Sequence, residues 1–176
     1  MTSSPPPPAS LPRTLPLVIG VGNEHRSDDR SGLEVARALR APLLGKARVE
    51  ECASEGIALL DVWREAERVL VVDAVRSGAP PGTVHRLDAS AGSLPGFRSA
   101  TSTHGLSLAE AVALANGLGC LPHHLVVYGI EVANVEMGDG LTPAVARGIR
   151  EATVRILAEI EGAPAPASVS PRFEHA

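Results

Sequence analysis

Two neighbouring acids, Asp28 and Asp29, follow a glycine-rich turn in the stretch "VIGVGNEHRSDDRSG" (18–32). Farther along, Asp73 lies near the end of the apolar run "RVLVVDAV" (68–75), His104 stands in "TSTHGLS" (101–107), and Glu131 closes "HLVVYGIE" (124–131). Carboxylates and an imidazole gathered at one edge would make a site for a divalent transition metal. Imidazole suits nickel or zinc, and oxygen ligands widen the choice. Phosphate binding fits poorly. Gly20 and Gly22 begin a G-x-G, but His25 takes the place of the third glycine of a dinucleotide fingerprint, and no G-x-x-x-x-G-K-[ST] loop occurs. Acids in such a turn would repel a pyrophosphate. Neither Ser27 nor Ser102 lies in the G-x-S-x-G elbow that would present a serine nucleophile.

Each of these residues also has a plain structural use. Asp28 and Asp29 would favour the positive amino end of the helix that follows them. Asp73 could bond a neighbouring loop, His104 the backbone near a helix cap, and Glu131 the amides of its own loop. Glu24 and His25 suit a solvated loop, and the adjacent His123 and His124 the solvated entrance of a strand.

The elements that must position these groups alternate. "LPLVIGV" (15–21), "ARVEEC" (47–52), "RVLVVDAV" (68–75) and "HLVVYGIE" (124–131) read as strands, being short, rich in β-branched residues and bounded by turn residues. "GTVHRL" (82–87), after a Pro-Pro-Gly turn, reads as an outer and antiparallel strand. Helical patterns fill the gaps: "SGLEVARALR" (31–40), "IALLDVWREAE" (57–67), "GLSLAEAVALANGL" (105–118) and "TPAVARGIREATVRILAEIE" (142–161). Ser31 and Glu34 have the spacing of a capping box, and Pro143 suits the first turn of the last helix. This order predicts an α/β three-layer sandwich, with a twisted, mostly parallel five-stranded sheet between helices. Ligands of such sheets bind beyond the carboxyl ends of the strands, where Gly22, Asn23, Asp28, Asp29, Asp73 and Glu131 all fall.

Composition narrows the class. A chain of 176 residues fits one domain with a substantial core. Residues 1–13 and 162–176, rich in Pro, Ser and Ala, are expected to be disordered segments flanking a single domain over 14–161. With 2% aromatics and a net charge of −4, the chain lacks the stacking platforms and basic groove of a nucleic-acid binder. No apolar stretch approaches the length that spans a bilayer, and no secretion signal is evident. Cys52 and Cys120 form no C-x-x-C pair, as suits a reducing compartment. A cytoplasmic monomer with no nucleic-acid or membrane partner is expected.

In order, "GVGNEHRSDDRSG", the Asp of "VVDAV", "STHGLSLAEAV" and "YGIEVANVEMGDGLTPAV" resemble the hydrogenase maturation proteases, over about residues 15–160. These endopeptidases trim the C-terminal extension of the nickel–iron hydrogenase large subunit. The resemblance implies a metal-engaging trio of Asp29, Asp73 and His104 that also carries the catalysis. The cognate metal would be nickel already inserted in the precursor, so that binding it checks metal loading before cleavage; no organic cofactor is implied. Gly22, Asn23 and Asp28 would shape the loop around the site and, with Glu131, contact the substrate. Two departures stand out. Arg30 replaces the glycine that many relatives carry after the paired acids, and the loop is unusually polar at Glu24, His25 and Arg26. Two other classes use the same residues: a non-catalytic, metal-dependent assembly checkpoint, and a small-molecule enzyme holding Mg²⁺ and a phosphorylated substrate. The latter would need basic residues at the strand ends, where Arg26, Arg30 and Arg76 qualify.

Overall fold

The computed structural model describes residues 15–53, 56–64, 66–100, 106–138 and 140–162. The Pro-rich 1–13 segment and, apart from Gly162, the 162–176 tail lie outside them. The first strand, β1 (Leu17–Gly22), runs through a short 3-10 turn (Ser27–Arg30) into α1 (Ser31–Leu39). Then follow β2 (Arg48–Ala53), α2 (Gly56–Trp63), β3 (Arg68–Val75) and β4 (Val84–Asp88). The chain closes with α3 (Leu108–Gly117), β5 (His124–Glu131) and α4 (Pro143–Ile160). The sheet order is β2-β1-β3-β5-β4, parallel except for β4, which pairs antiparallel with β5 at one edge. The predicted architecture is therefore the observed one.

Alternation along the strands sorts the core into two layers. Leu17, Ile19 and Val21 of β1, with Val69 and Val71 of β3, pack against Leu59, Trp63, Ala111 and Val112 of α2 and α3. Val18, Leu70, Val72 and Tyr128 face Val35, Leu39, Val145 and Ile149 of α1 and α4. A period of two along a strand buried on both faces requires this division.

The two early glycines are explained by packing. A Cβ on Gly20 would stand 2.2 Å from the Gly32 carbonyl oxygen, and one on Gly32 2.2 Å from that of Val21. So α1 lies directly on the sheet backbone, a contact that no side chain would permit. The predicted capping box at Ser31 and Glu34 does not form. Arg30 is already helical (φ −73°, ψ −2°) and no side chain caps α1, because the 3-10 turn feeds straight into the helix. Glu34 instead accepts ion pairs from Arg30 and Arg37. A complete capping box does form at α3, where Ser107 and Glu110 satisfy each other's backbone N–H.

Candidate functional site

Chain order places the site. From β1 the chain crosses to β2 on one side, then returns past β1 to lay β3 on the other. Between the carboxyl ends of β1 and β3 the connections diverge, which opens a crevice at the switch point. A small cleft occupies it, lined by Gly22, Asp29, Asp73 and Ser99, by Gly56 and Leu59 of α2, and by Leu106, Ser107 and Leu108 at the start of α3.

Two carboxylates meet in this cleft, and both are nearly enclosed: Asp29 is 1% exposed and Asp73 4%. Asp73 is a strand residue on the face that packs α2 and α3, one pleat beyond Val71. Its Oδ1 accepts the Ala74 N–H at 2.8 Å and its Oδ2 the Ser99 hydroxyl at 2.6 Å. Burial pushes the Asp73 carboxyl up to about 7. The Ser99 hydroxyl and the Ala74 N–H pull the other way, while the nearby Asp29 charge raises it further. An acid whose ionisation is resisted by burial and by a neighbouring acid makes a site that a cation would relieve. The donor set fits a divalent metal brought to it. Among the described residues no three His, Cys, Asp or Glu side chains cluster as a metal site. The third expected ligand, His104, lies outside those residues, as does Ser102.

Gly22 lines the cleft as expected, for a steric reason. A Cβ there would come within 2.3 Å of the Asp29 carbonyl oxygen, so its absence lets the acid-bearing turn fold back on the strand end. Asn23 shapes that turn: its Oδ1 accepts the His25 N–H at 2.9 Å and its carbonyl the Arg26 N–H at 3.2 Å.

Asp28 and Glu131 require correction as substrate contacts. Asp28 is fully buried. Its carboxylate accepts the N–H groups of Ala133 (3.1 Å), Asn134 (2.9 Å) and Thr142 (2.8 Å) and the Thr142 hydroxyl (3.1 Å). Thr142 also caps α4 through Val145 N–H. Asp28 thus straps the turn after β1 to the loop before α4, joining two motifs that stand 114 residues apart. Further backbone bonds, Ser27 N–H to Gly138 O and Gly138 N–H to His25 O, complete the seam. They hold Ser27 at φ +22°, a value that non-glycine residues seldom adopt.

Glu131, 3% exposed, is a second strut. It accepts the N–H groups of Ser77 and Gly78 and the Ser77 hydroxyl at 2.8–3.1 Å, and its Oε2 lies 3.3 Å from His85 Nε2. Ser77, His85 and Glu131 do not make a hydrolytic triad. The serine and the glutamate address the same imidazole nitrogen, and the serine hydroxyl donates to the glutamate.

Of the remaining expectations, His123 and His124 lie exposed at the amino end of β5, far from the carboxyl edge in the register. Arg30 is committed to Glu24 and Glu34, which leaves the magnesium–phosphate reading short of one of its three cations. Sequence reasoning missed Ser99. It sits in an aperiodic stretch, and only its antiparallel bridge to Val75 brings its hydroxyl to Asp73.

The fold and cleft define a three-layer α/β protein with a buried pair of acids at the switch point of its sheet. Comparison with known proteins agrees with that class: the hydrogenase maturation protease family model matches residues 34–159, and the chain belongs to that family. The hydrogenase expression/formation protein HupD of Thiocapsa roseopersicina is 33% identical over 141 residues, covering 77% of this chain; the match spans 63% of that relative's length. HupD of Rhizobium leguminosarum bv. viciae is 29% identical over 97% of this chain and 87% of its own. Among solved structures, the hydrogenase maturating endopeptidase HybD from E. coli superposes with a TM-score of 0.68 at 28% identity, covering 85% of this chain and 93% of that one. Among the described residues no helix is long and apolar enough to cross a membrane.

Proposed function

We propose that this protein is an endopeptidase that removes the C-terminal extension of a nickel–iron hydrogenase large-subunit precursor once nickel is in place. The observation that carries the reading is the pairing of Asp29 and Asp73, buried together at the switch point, with the Asp29 charge resisting ionisation of Asp73. Family membership supports the peptidase class, and the E. coli relative is described as an endopeptidase.

In this reading the nickel belongs to the substrate. Seated in the precursor, it supplies Lewis acidity, which polarises a carbonyl or acidifies a bound water. The chain's own residues do the rest. Asp29, Asp73 and His104 engage the nickel-bearing segment. Ser99 and the Ala74 N–H fix the plane of the Asp73 carboxylate, so that its orientation is set before the substrate arrives. The narrow cleft excludes bulk water and strengthens each charge interaction inside it. Among the described residues that line the cleft there is no nucleophile elbow: Ser99, the serine beside Asp73, spends its hydroxyl proton on that carboxylate.

The test mixes the protein with nickel-loaded and with nickel-free precursor and follows the precursor by mass spectrometry. Loss of the C-terminal tail from the loaded form alone is the expected result. Tight binding with the precursor mass unchanged would contradict peptidase activity and favour the assembly-checkpoint reading.

A further inference from the structure

The two edges of the sheet are finished differently. At one, β4 is five residues long, and Arg155 of α4 donates to the outward carbonyl of Val84 at 3.3 Å. At the other, β2 lies beside β1 for six residues without a bulge, from Arg48 opposite Leu17 to Ala53 opposite Gly22. The Arg48 N–H reaches inward to the Pro16 carbonyl, so by alternation the N–H and C=O groups of Val49, Glu51 and Ala53 point outward. Among the described residues nothing bonds to them.

Such a row is a template for another strand, and proteins blunt it with a bulge, a proline or a projecting charge. Strand β2 contains no proline, and its charged side chains are folded back on their own chain. Arg48 pairs with Glu50 at 2.7 Å, and Glu51 takes Arg37 and Arg40 from the side of α1. A groove runs beside this edge, lined by Arg40, Leu44, Ala47, Val49 and Glu51. Leu44, 84% exposed, is the most exposed large apolar side chain among the described residues. An open ladder beside a groove suits one kind of ligand, an extended polypeptide backbone. The edge is also continuous with the cleft: Ala53 is in register with Gly22, which lines the cleft, and Gly56, three residues farther on, lines it too. A strand added to β2 would lie two strand spacings, about 10 Å, from β1. About three extended residues cross that gap.

We infer that the outer edge of β2 holds the C-terminal extension of the precursor as an added strand, antiparallel to β2, while the bond to be cut lies at the Asp29–Asp73 cleft. This inference rests on the proposed function and specifies how its substrate is gripped. Residues beyond the cut leave the cleft at the carboxyl end of β2 and pass toward its amino end, which sets the antiparallel sense. The extension is the free end of the precursor chain, so it can lie flat along an edge. Backbone pairing makes few demands on sequence, and the charges beside the groove are already paired within the protein. Such a contact acts on docking and leaves the chemical step alone.

The test follows backbone amide exchange by NMR in the protein alone and with an excess of a synthetic peptide carrying the extension sequence. Exchange should slow at Val49, Glu51 and Ala53 and stay unchanged at Val84, Arg86 and Asp88 of the other edge. Kinetics with nickel-loaded precursor supply a second arm that leaves the enzyme intact. A precursor cut back to three residues beyond the scissile bond cannot reach β2, and its KM should rise about tenfold while kcat stays within about twofold. Val49→Pro removes one outward N–H and spares the ladder to β1. It should raise KM for the full-length precursor to a similar degree and leave KM for the shortened one unchanged. Absence of protection by the peptide, or an unchanged KM for the shortened precursor, would overturn the inference while leaving the peptidase reading in place. Protection that grows with protein concentration in the absence of peptide would give the edge to a second copy of this chain and overturn it as well. A wild type that releases no tail from the loaded precursor would overturn both.

Discussion

Four buried carboxylates crowd the carboxyl edge of this sheet, and they divide into two regions with opposite electrostatics. In the struts, Asp28 and Glu131 are surrounded by N–H and hydroxyl donors that replace the water they lost. In the cleft, Asp73 has two such donors and an acid for a neighbour, and its carboxyl is raised. Asp28 and Asp29 are adjacent in the chain yet fall on opposite sides of this divide. Saturated carboxylates hold loops; a carboxyl raised by burial beside a second acid can receive a cation.

The largest effect should come from cutting a strut. Asp28→Ala leaves three part-buried N–H groups and a hydroxyl without their acceptor and should cost about 3 kcal/mol in urea unfolding. If the cost were small, the seam between the turn and the loop before α4 would not be what positions Asp29. Glu131→Gln keeps the shape but gives one oxygen's place to an N–H₂ that faces donors, and should cost about 2 kcal/mol by the same measurement.

Asp73 should behave in the reverse sense. The folded state keeps its proton up to about pH 7, whereas the unfolded chain releases it near the ordinary aspartate value of 3.8. Between those values the native state binds more protons, so this group's contribution to stability falls as pH rises, then levels off above about 7. Asp73→Asn keeps the Ala74 N–H bond through its amide oxygen, reverses the Ser99 bond by donating its N–H₂ to Oγ, and removes that dependence. It should be more stable than wild type by on the order of 1–2 kcal/mol at pH 8 and near equal at pH 4. A destabilised Asp73→Asn at pH 8 would move Asp73 into the strut class.

Smallest of all should be the surface network of Glu24, Arg37 and Glu51. Arg37→Ala should change stability by less than about 1 kcal/mol, and by less still in high salt.

Much of the fold was legible in the sequence. Arg68–Val75 and His124–Glu131 were read to the residue, because continuous β-branched runs bounded by turn residues admit little else. Helix α4 was read within a residue at either end, since Thr142 and Pro143 mark its start chemically. Local spacing misled at Ser31, where the 3-10 turn feeds straight into α1. Of the site, Asp29 and Asp73 and their common edge were legible, because strand ends in a parallel sheet point to one rim. The division between Asp28 and Asp29 was not. It depends on a loop more than a hundred residues away, whose N–H groups and Thr142 hydroxyl converge on Asp28. Ser99 was invisible for a similar reason, since its bridge to Val75 carries no periodic signal.

The central claim is that the cleft acids, and not the struts, do the processing. The rate at which Asp29→Asn releases the tail from nickel-loaded precursor tests it most directly, measured beside a urea midpoint to confirm the fold. A loss of about a hundredfold or more in rate with the midpoint preserved is the expected result. Tail release at the wild-type rate by a folded Asp29→Asn would contradict it.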